Sequence, residues 1–303
     1  MIKKLGIPYM GSKRSLAPKI LDFILQENPN CKYIYDLFGG GGSISFEAIQ
    51  RPQIEKVFYN ELNTGVTELL KKIQSDGVTD DFYEWISRED FMKYKGGDCW
   101  KSGLAKTCWS FGSNQSSYLF GKDIEDDKRL LHEIIVNKCS KSVAEFEEKF
   151  GIEIHNEFLV GGTINARRLS VLRLIKSLSK KRKNLQHLEQ LEHLGRIQHL
   201  ERIQHLEQLK HLHISNKSYK AVEISTPVGD TVVYLDPPYA DTATYQCRIS
   251  HEDLYEYIEK SPYKIYLSSY ESHLPCVLEI EHRSKLSQTK NKKTIEKLFT
   301  NKK

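Results

Sequence analysis

Apolar residues gather in short runs toward both ends of the chain, and fall at helical spacing between them. Ile34-Tyr35-Asp36-Leu37-Phe38 reads as a buried strand that runs into Gly39-Gly40-Gly41-Gly42-Ser43, and residues 44–49 then begin a helix. A second run, Lys56-Val57-Phe58-Tyr59, ends in Asn60-Glu61-Leu62-Asn63. A third, Thr231-Val232-Val233-Tyr234-Leu235, is β-branched and stops at Asp236-Pro237-Pro238-Tyr239. A fourth, Lys264-Ile265-Tyr266-Leu267, ends at Ser268-Ser269-Tyr270. Strands that alternate with helices and end in polar residues predict an α/β fold with a largely parallel sheet. Ligands of such sheets lie outside the carboxyl ends of the strands.

Between the second and third runs the pattern is helical, over 81–95, over 126–150, and over 167–178, where Leu169, Leu172, Ile175 and Leu178 form a stripe. This block reads as an inserted, mainly helical domain at 81–213, with 1–80 and 214–303 forming the sheet domain. Inside it Leu or Ile falls at every third position from 185 to 212, in a hexapeptide unit seen at Gln198-His199-Leu200-Glu201-Arg202-Ile203. Leu, Gln, Glu and Arg favour helix. A step of three turns an α-helix ~300°, so the stripe circles it once in ~18 residues. A long 3₁₀ helix would hold the stripe but is uncommon, and a stacked solenoid is conceivable. The reading favours a helix and takes the repeat (185–213) as a tolerated expansion whose removal leaves activity intact. His187, His193, His199, His205 and His211 stand six apart and do not share a helix face, so repetition explains them and no metal site is expected.

Hydrophobic residues at 39% and charged residues at 28% fit a folded, soluble protein. No run of ~18 apolar residues exists, so no transmembrane helix is expected. The start of the chain lacks the apolar core of a secretion signal. Cys31, Cys99, Cys108, Cys139, Cys247 and Cys276 form no C-x-x-C pair, which predicts reduced thiols, no zinc and a cytoplasmic setting. The net charge is +5, yet residues 283–303 hold eight basic residues and a single acid, Glu296, so that tail is +7 and the rest about −2. Such a tail fits either phosphate contact or a solvated, lysine-rich terminus.

The chemistry concentrates at Asp236-Pro237-Pro238-Tyr239. An exocyclic amine on a nucleobase is a poor nucleophile because its lone pair is delocalised into the ring. A carboxylate accepting one N–H, and a backbone carbonyl accepting the other, would draw it toward tetrahedral geometry. Asp236 can supply the first acceptor and the Pro237 carbonyl the second, in a segment stiffened by Pro237 and Pro238. Tyr239 offers a face for a planar base. Positioning and electrostatics suffice, with no metal or covalent intermediate. The Gly39–Gly42 turn lets backbone approach a ligand closely, but it is neither G-x-G-x-x-G nor a Walker loop. Glu61, at the end of the next strand, could hold ribose hydroxyls. In Tyr9-Met10-Gly11-Ser12-Lys13-Arg14 a cation could meet a carboxylate.

Taken together, the chain resembles the D12-class (Dam-like) N6-adenine DNA methyltransferases of phages and restriction systems. The resemblance rests on Pro8-Tyr9-Met10-Gly11-Ser12-Lys13, on Asp36 to Ser43, on Asn60-Glu61-Leu62-Asn63 and on Asp236 to Tyr239, in that order. It implies a Rossmann-like S-adenosylmethionine-dependent methyltransferase sheet with an inserted helical target-recognition domain. The implied activity is transfer of a methyl group from S-adenosyl-L-methionine to N6 of a flipped-out adenine in double-stranded DNA. It assigns Asp236, Pro237, Pro238 and Tyr239 to catalysis. Tyr9, Lys13, Asp36, Phe38, Gly39, Gly41, Ser43, Glu61 and Asp236 fall to the cofactor, with Ser218-Tyr219 in place of the family's acid at the adenine contact. Trp109, Asn114 and Tyr118, in an aromatic and small-polar segment, and Arg167 and Arg168 are the DNA-contact candidates. A monomer, a cytoplasmic setting in a bacterial or phage-infected cell, and a cognate restriction endonuclease as a partner belong to the same implication. The alternatives are a non-catalytic DNA- or cofactor-binding relative, and an N4-cytosine or RNA amino-methyltransferase.

Overall fold

A computed structural model of the chain describes residues 5–155, 157, 159–160, 162–180, 183–204, 207–238, 250–283 and 293–302. Seven strands form one sheet: β1 (Tyr33–Asp36), β2 (Lys56–Asn60), β3 (Leu212–Ser215), β4 (Thr231–Leu235), β5 (Lys264–Ser269), β6 (Cys276–Arg283) and β7 (Lys293–Thr300). Their spatial order is β3-β2-β1-β4-β5-β7-β6. β7 runs antiparallel to both β5 and β6, and the β1–β2, β1–β4, β2–β3 and β4–β5 pairings are parallel. This mostly parallel sheet with helices is the Rossmann-like architecture expected from the sequence.

Alternation along the strands assigns the two faces. Ile34, Val57, Tyr59, Val232, Tyr234 and Tyr266 point to one core, shared with α1 (Ala17–Glu27), α2 (Ser43–Ala48) and α3 (Thr64–Asp76). Tyr35, Val233, Leu235, Ile265 and Leu267 point to the other, which α10 (His251–Lys260) covers with Leu254 and Ile258. Both faces are buried, which is why β4 reads as an unbroken apolar run.

The chain between β2 and β3 holds α3 and then α4 (Arg88–Tyr94), α5 (Trp100–Cys108), α6 (Glu125–Asn137), α7 (Ser140–Phe150), α8 (Ile164–Ser179) and α9 (Glu192–Gln204). The expected helix over 81–95 is a 3₁₀ turn at Asp80–Tyr83 followed by α4, whose start is set by the Ser87 side chain accepting from the Asp90 N–H. The 126–150 stretch is two helices, broken where Lys138 takes a left-handed φ of 52°. These helices share a continuous core with one sheet face, and Leu212 and His213, drawn into the insertion from sequence, belong to β3.

The Leu/Ile repeat divides into three: 3₁₀ at Lys183–Glu189, the α-helix α9, and 3₁₀ again at Glu207–His211. In the 3₁₀ pieces a period of three keeps one face. In α9 Leu194, Ile197, Leu200 and Ile203 sweep only ~180° before the helix ends. All four are buried, with Leu185, Leu188, Leu191, Leu209 and Leu212. Such burial goes against a tolerated expansion, because these side chains supply part of the core. The described part of the basic tail is structured, and residues 284–292 lie outside the described residues. Residues 276–283 and 293–300 pair as β6 and β7, and Glu296 is buried.

No described helix is long and apolar enough to cross a membrane. The five described cysteines are free, and Cys247 lies outside the described residues.

Candidate active site

The strand order reverses between β1 and β4, and the polar ends of β1, β2 and β4 open onto that crevice. After β1 the chain turns through Gly39–Gly42, with Gly40 at φ +47° and Gly42 at φ +69°, conformations that disfavour other residues. A Cβ on Gly39 would lie 2.1 Å from the Tyr59 ring. Tyr59, at 0% exposure, donates its hydroxyl proton to the Gly40 carbonyl at 2.7 Å, and so props the loop from below. From above, the Tyr9 ring lies against Gly40, and the Ile7 N–H donates to the Gly41 carbonyl at 2.9 Å. Ser43 opens α2 with its hydroxyl 3.0 Å from that of Ser12. The loop is therefore clamped by β2 and by the segment before α1.

Two carboxylates face this loop. Glu61 accepts from the Gly40 N–H at 2.9 Å and from the Asn63 N–H at 2.8 Å. Burial raises its pKa against the pull of those amides. Asp36, 2% exposed, accepts from the Ser45 hydroxyl at 2.7 Å. Burial pushes it up to about 7, Ser45 opposes that, and Asp236 and Glu61 add to it. The Glu61 turn is itself fixed by Asn60, whose amide donates to the carbonyls of Leu37 and Lys217 and whose oxygen accepts from the Ser215 hydroxyl and the Lys217 N–H. Buried and fully used, Asn60 ties the ends of β1, β2 and β3 together.

Asp236 comes directly after β4. Its Oδ1 lies 3.2 Å from Lys13 Nζ, and Lys13 also reaches Glu296 Oε1 at 3.3 Å. Glu296 in turn accepts from the Ser268 hydroxyl at 2.7 Å. Lys13 and Glu296 are almost wholly buried, whereas the Asp236 side chain is 20% exposed. Burial raises Asp236 to about 6; Lys13 opposes the rise and Glu296 adds to it. Burial alone would lower Lys13, but the two carboxylates outweigh it and hold the ammonium above its ordinary range. The result is a charged acceptor at a strand tip, fixed from behind by a lysine shared with a second acid.

Of the other expected positions, Phe38 lies beside the crevice with its ring centroid 5.1 Å from that of Tyr219, whose buried hydroxyl has no hydrogen-bond partner. Ser218 is exposed just before it. Pro237 is buried and Pro238 half-buried, while Tyr239 lies outside the described residues. Among the DNA-contact candidates, Trp109 is fully buried and Tyr118 is buried with its hydroxyl donating to the Ile86 carbonyl. Arg167 is buried and donates to the Ile135 and Val136 carbonyls. Those three side chains serve the core. Asn114, partly exposed, closes the tip of its loop by accepting from the N–H groups of Ser116 and Ser117. Arg168 is partly exposed on α8. Gln115 of the same loop as Asn114 accepts from the Asn63 amide at 2.8 Å, which brings that loop beside the Glu61 turn.

Sequence reading missed Tyr59 and Glu296 as parts of the site, and placed Asn60 in the Glu61 turn without its bracing role. For Glu296 a signal existed: it is the lone acid among eight basic residues, on a strand segment where it alternates with Ile295 and Lys297.

The residues fit S-adenosyl-L-methionine. The loop packs so closely on the Tyr59 and Phe46 rings that a Cβ at Gly39 or Gly42 would strike them, which leaves bare backbone for a ligand; Glu61 has lone pairs beyond the two it offers to Gly40 and Asn63, and the orphaned Tyr219 hydroxyl belongs to the ring packed on Phe38. The family model described as D12 class N6 adenine-specific DNA methyltransferase matches residues 9–292. No curated protein matches the chain.

Proposed function

From the chain's membership of the D12 class of N6 adenine-specific DNA methyltransferases, which use S-adenosyl-L-methionine to methylate adenine in DNA, we propose how its residues divide the work. Asp236 accepts one N6 hydrogen of the target adenine, and the Pro237 carbonyl accepts the other. Together they draw the lone pair out of conjugation and along the line of attack. S-adenosyl-L-methionine supplies an electrophilic methyl group on a sulfonium sulfur. Asp236 is ionised above about pH 6, so at neutral pH it is an acceptor for the amine and for the proton N6 sheds. Lys13 orients and charges Asp236, and Glu296 with Ser268 holds Lys13 in place.

Glu61 takes the ribose hydroxyls, the Gly39–Gly42 loop and Tyr9 take the methionine end, and the packed Phe38–Tyr219 pair forms the wall beside the adenine ring of the cofactor. Tyr239 stacks on a flipped-out target base, and the block at 81–211 reads the DNA. A monomer in the cytoplasm of a bacterial or phage-infected cell, with a cognate endonuclease, completes the proposal.

The observation that carries this assignment is the Asp236 carboxylate at the tip of β4, beside the Gly loop where the strand order reverses. Its test is tritium transfer from labelled cofactor to plasmid DNA, with nucleoside analysis of the product. The wild type is expected to label N6-methyladenine. Asp236→Ala is expected to fold, bind cofactor and lose at least about 100-fold in rate, the scale for removal of one preorganised polar group. Substantial surviving transfer by Asp236→Ala would refute the assignment, and cofactor binding without transfer by the wild type would favour a binding module.

A further inference from the structure

Arg168 of α8 lies across the outer face of α9, which carries His199 and Arg202, and Arg14, just before α1, is near enough for its charge to act on His199. The α9 residues Gly195, Gln198, His199 and Arg202 span about 100° of helix surface, opposite the buried arc of Leu194, Ile197, Leu200 and Ile203. Arg168 crosses from α8 onto this surface. Its Nη1 lies against Gly195, and its Nη2 donates to Asn165 Oδ1 at 2.9 Å and reaches Gln198 Oε1 at 3.5 Å. Arg14 lies in the segment before α1. Its stem packs against Gly6, whose next neighbour is the Gly41 carbonyl of the Gly loop. Arg202 is exposed, while Arg14, Arg168 and His199 are partly so.

These groups feel one another. Burial, then Arg14, Arg202 and Arg168, press His199 down to about 4. Burial and then Arg202 lower both Arg14 and Arg168. Among the described residues no carboxylate is paired with Arg14, Arg168 or Arg202. Glu201, the acid that acts on Arg168, accepts from the Tyr83 hydroxyl. Partly desolvated like charges without a counterion are costly for a folded chain, and a polyanion laid across them removes the cost. Arg196 of the same helix donates to the Cys108 carbonyl at 3.2 Å and the Ser110 carbonyl at 2.5 Å, which anchors the loop that abuts the Glu61 turn.

We propose that Arg14, Arg168 and Arg202, grouped around His199, form the track on which the phosphodiester backbone of the duplex rests beside the catalytic cleft. The proposal rests on the DNA-methyltransferase reading and gives the repeat a task in substrate binding. It separates Arg168, on the surface, from its neighbour Arg167, inside.

The test is duplex binding by the full chain, read by fluorescence anisotropy across a salt series, for wild type, Arg168→Gln, Arg202→Gln, the double variant and Arg202→Lys. Each lost phosphate contact reduces the slope of log K against log salt by ~0.9, so the double variant is expected to fall by about 2. Arg202→Lys is expected to restore most of its share. Cofactor affinity should stay at the wild-type value, the melting temperature should not fall, and turnover at saturating DNA should hold while KM for DNA rises. An unchanged slope in the double variant, with a wild type that binds and methylates DNA, overturns the track alone. A wild type that neither binds nor methylates any duplex overturns the reading and the track together. A slope change seen with duplex RNA and not with duplex DNA also overturns it.

Discussion

Removing one hexapeptide, Gln198 to Ile203, tests whether the repeat is dispensable. α9 has 13 residues, and excising six shortens it by ~9 Å and rotates the downstream chain by ~240°. The chain has two ways to respond. If β3 keeps its place, α9 surrenders the sites of Leu200 and Ile203, both at 0% exposure. At about 2–5 kcal/mol for each lost buried side chain, that costs about 4–10 kcal/mol. If the next unit slides into the vacated sites, Leu206 and Leu209 refill them, and β3 is drawn off β2 instead. The sheet then loses the four pairings from Val57↔Leu212 to Asn60↔Ser215, the burial of Leu212, and the bonds from Gln74 to the Leu209 and Leu212 carbonyls. At about 1 kcal/mol per hydrogen bond, with Leu212 added, this second route costs a comparable amount. It also releases Ser215 and Lys217 from Asn60 and so loosens the Glu61 turn. Both outcomes are large against the about 5–15 kcal/mol that stabilises an ordinary protein. Thermal melts monitored by near-UV circular dichroism, with cofactor titration by calorimetry, are the assay. The expected result is a melting temperature lower by about 8 °C or more, or loss of the folded state, with weakened cofactor binding. A deletion protein with wild-type melting temperature and cofactor affinity would refute the reasoning and restore the view of the repeat as an insertion without consequence.

Further predictions concern the cleft and the helical core. The wild-type rate is expected to fall as pH drops through about 6, because protonated Asp236 has lost the charge that draws on the N6 hydrogen and takes up its proton. Glu296→Gln removes a charge that raises Asp236, so the acid limb of kcat/KM should move to lower pH; a limb that stays put or rises refutes the link among Glu296, Lys13 and Asp236. Gly39→Ala forces a methyl group into the Tyr59 ring and should cost about 1–3 kcal/mol in stability along with cofactor affinity; calorimetry showing unchanged affinity would show that the Gly loop does not hold the cofactor. His132 and His193 lie 2.9 Å apart among Trp85, Trp109 and Phe120, and burial lowers His132 to about 4 and holds His193 well below the ordinary histidine range. An unfolded histidine takes up a proton near pH 6.5 while the folded one resists to about 4, so stability is present above 6.5 and declines as pH falls between those values. For His132 alone the loss at pH 5 is about 2 kcal/mol, and urea melts at pH 7 and pH 5 that show no such decline would contradict the buried neutral pair.

Four strands of the sheet were legible because local pattern decides them: β4 is a β-branched run closed by two prolines, and β1, β2 and β5 end in polar residues at one height in the sheet. The same locality made the Gly loop, Glu61 and Asp236 visible as chemistry, because each comes directly after a strand. By itself the sequence thus determined the parallel core, the order of its motifs and the reaction they imply. Tertiary structure alone decided what depends on partners distant in the chain. β3 emerges from the last unit of a helix-favouring repeat because β2 offers it a ladder, and part of a basic tail becomes β7 because β5 and β6 leave edges to be paired. Glu296 reads as a stray acid until folding brings it within 3.3 Å of Lys13, which lies 283 positions earlier in the chain. Trp109, Tyr118 and Arg167 carry the side chains of an interface, but only packing shows that they point inward. Hydrophobic period and turn chemistry act over a few residues and can be read from a chain, whereas burial and the pairing of charges belong to the folded whole.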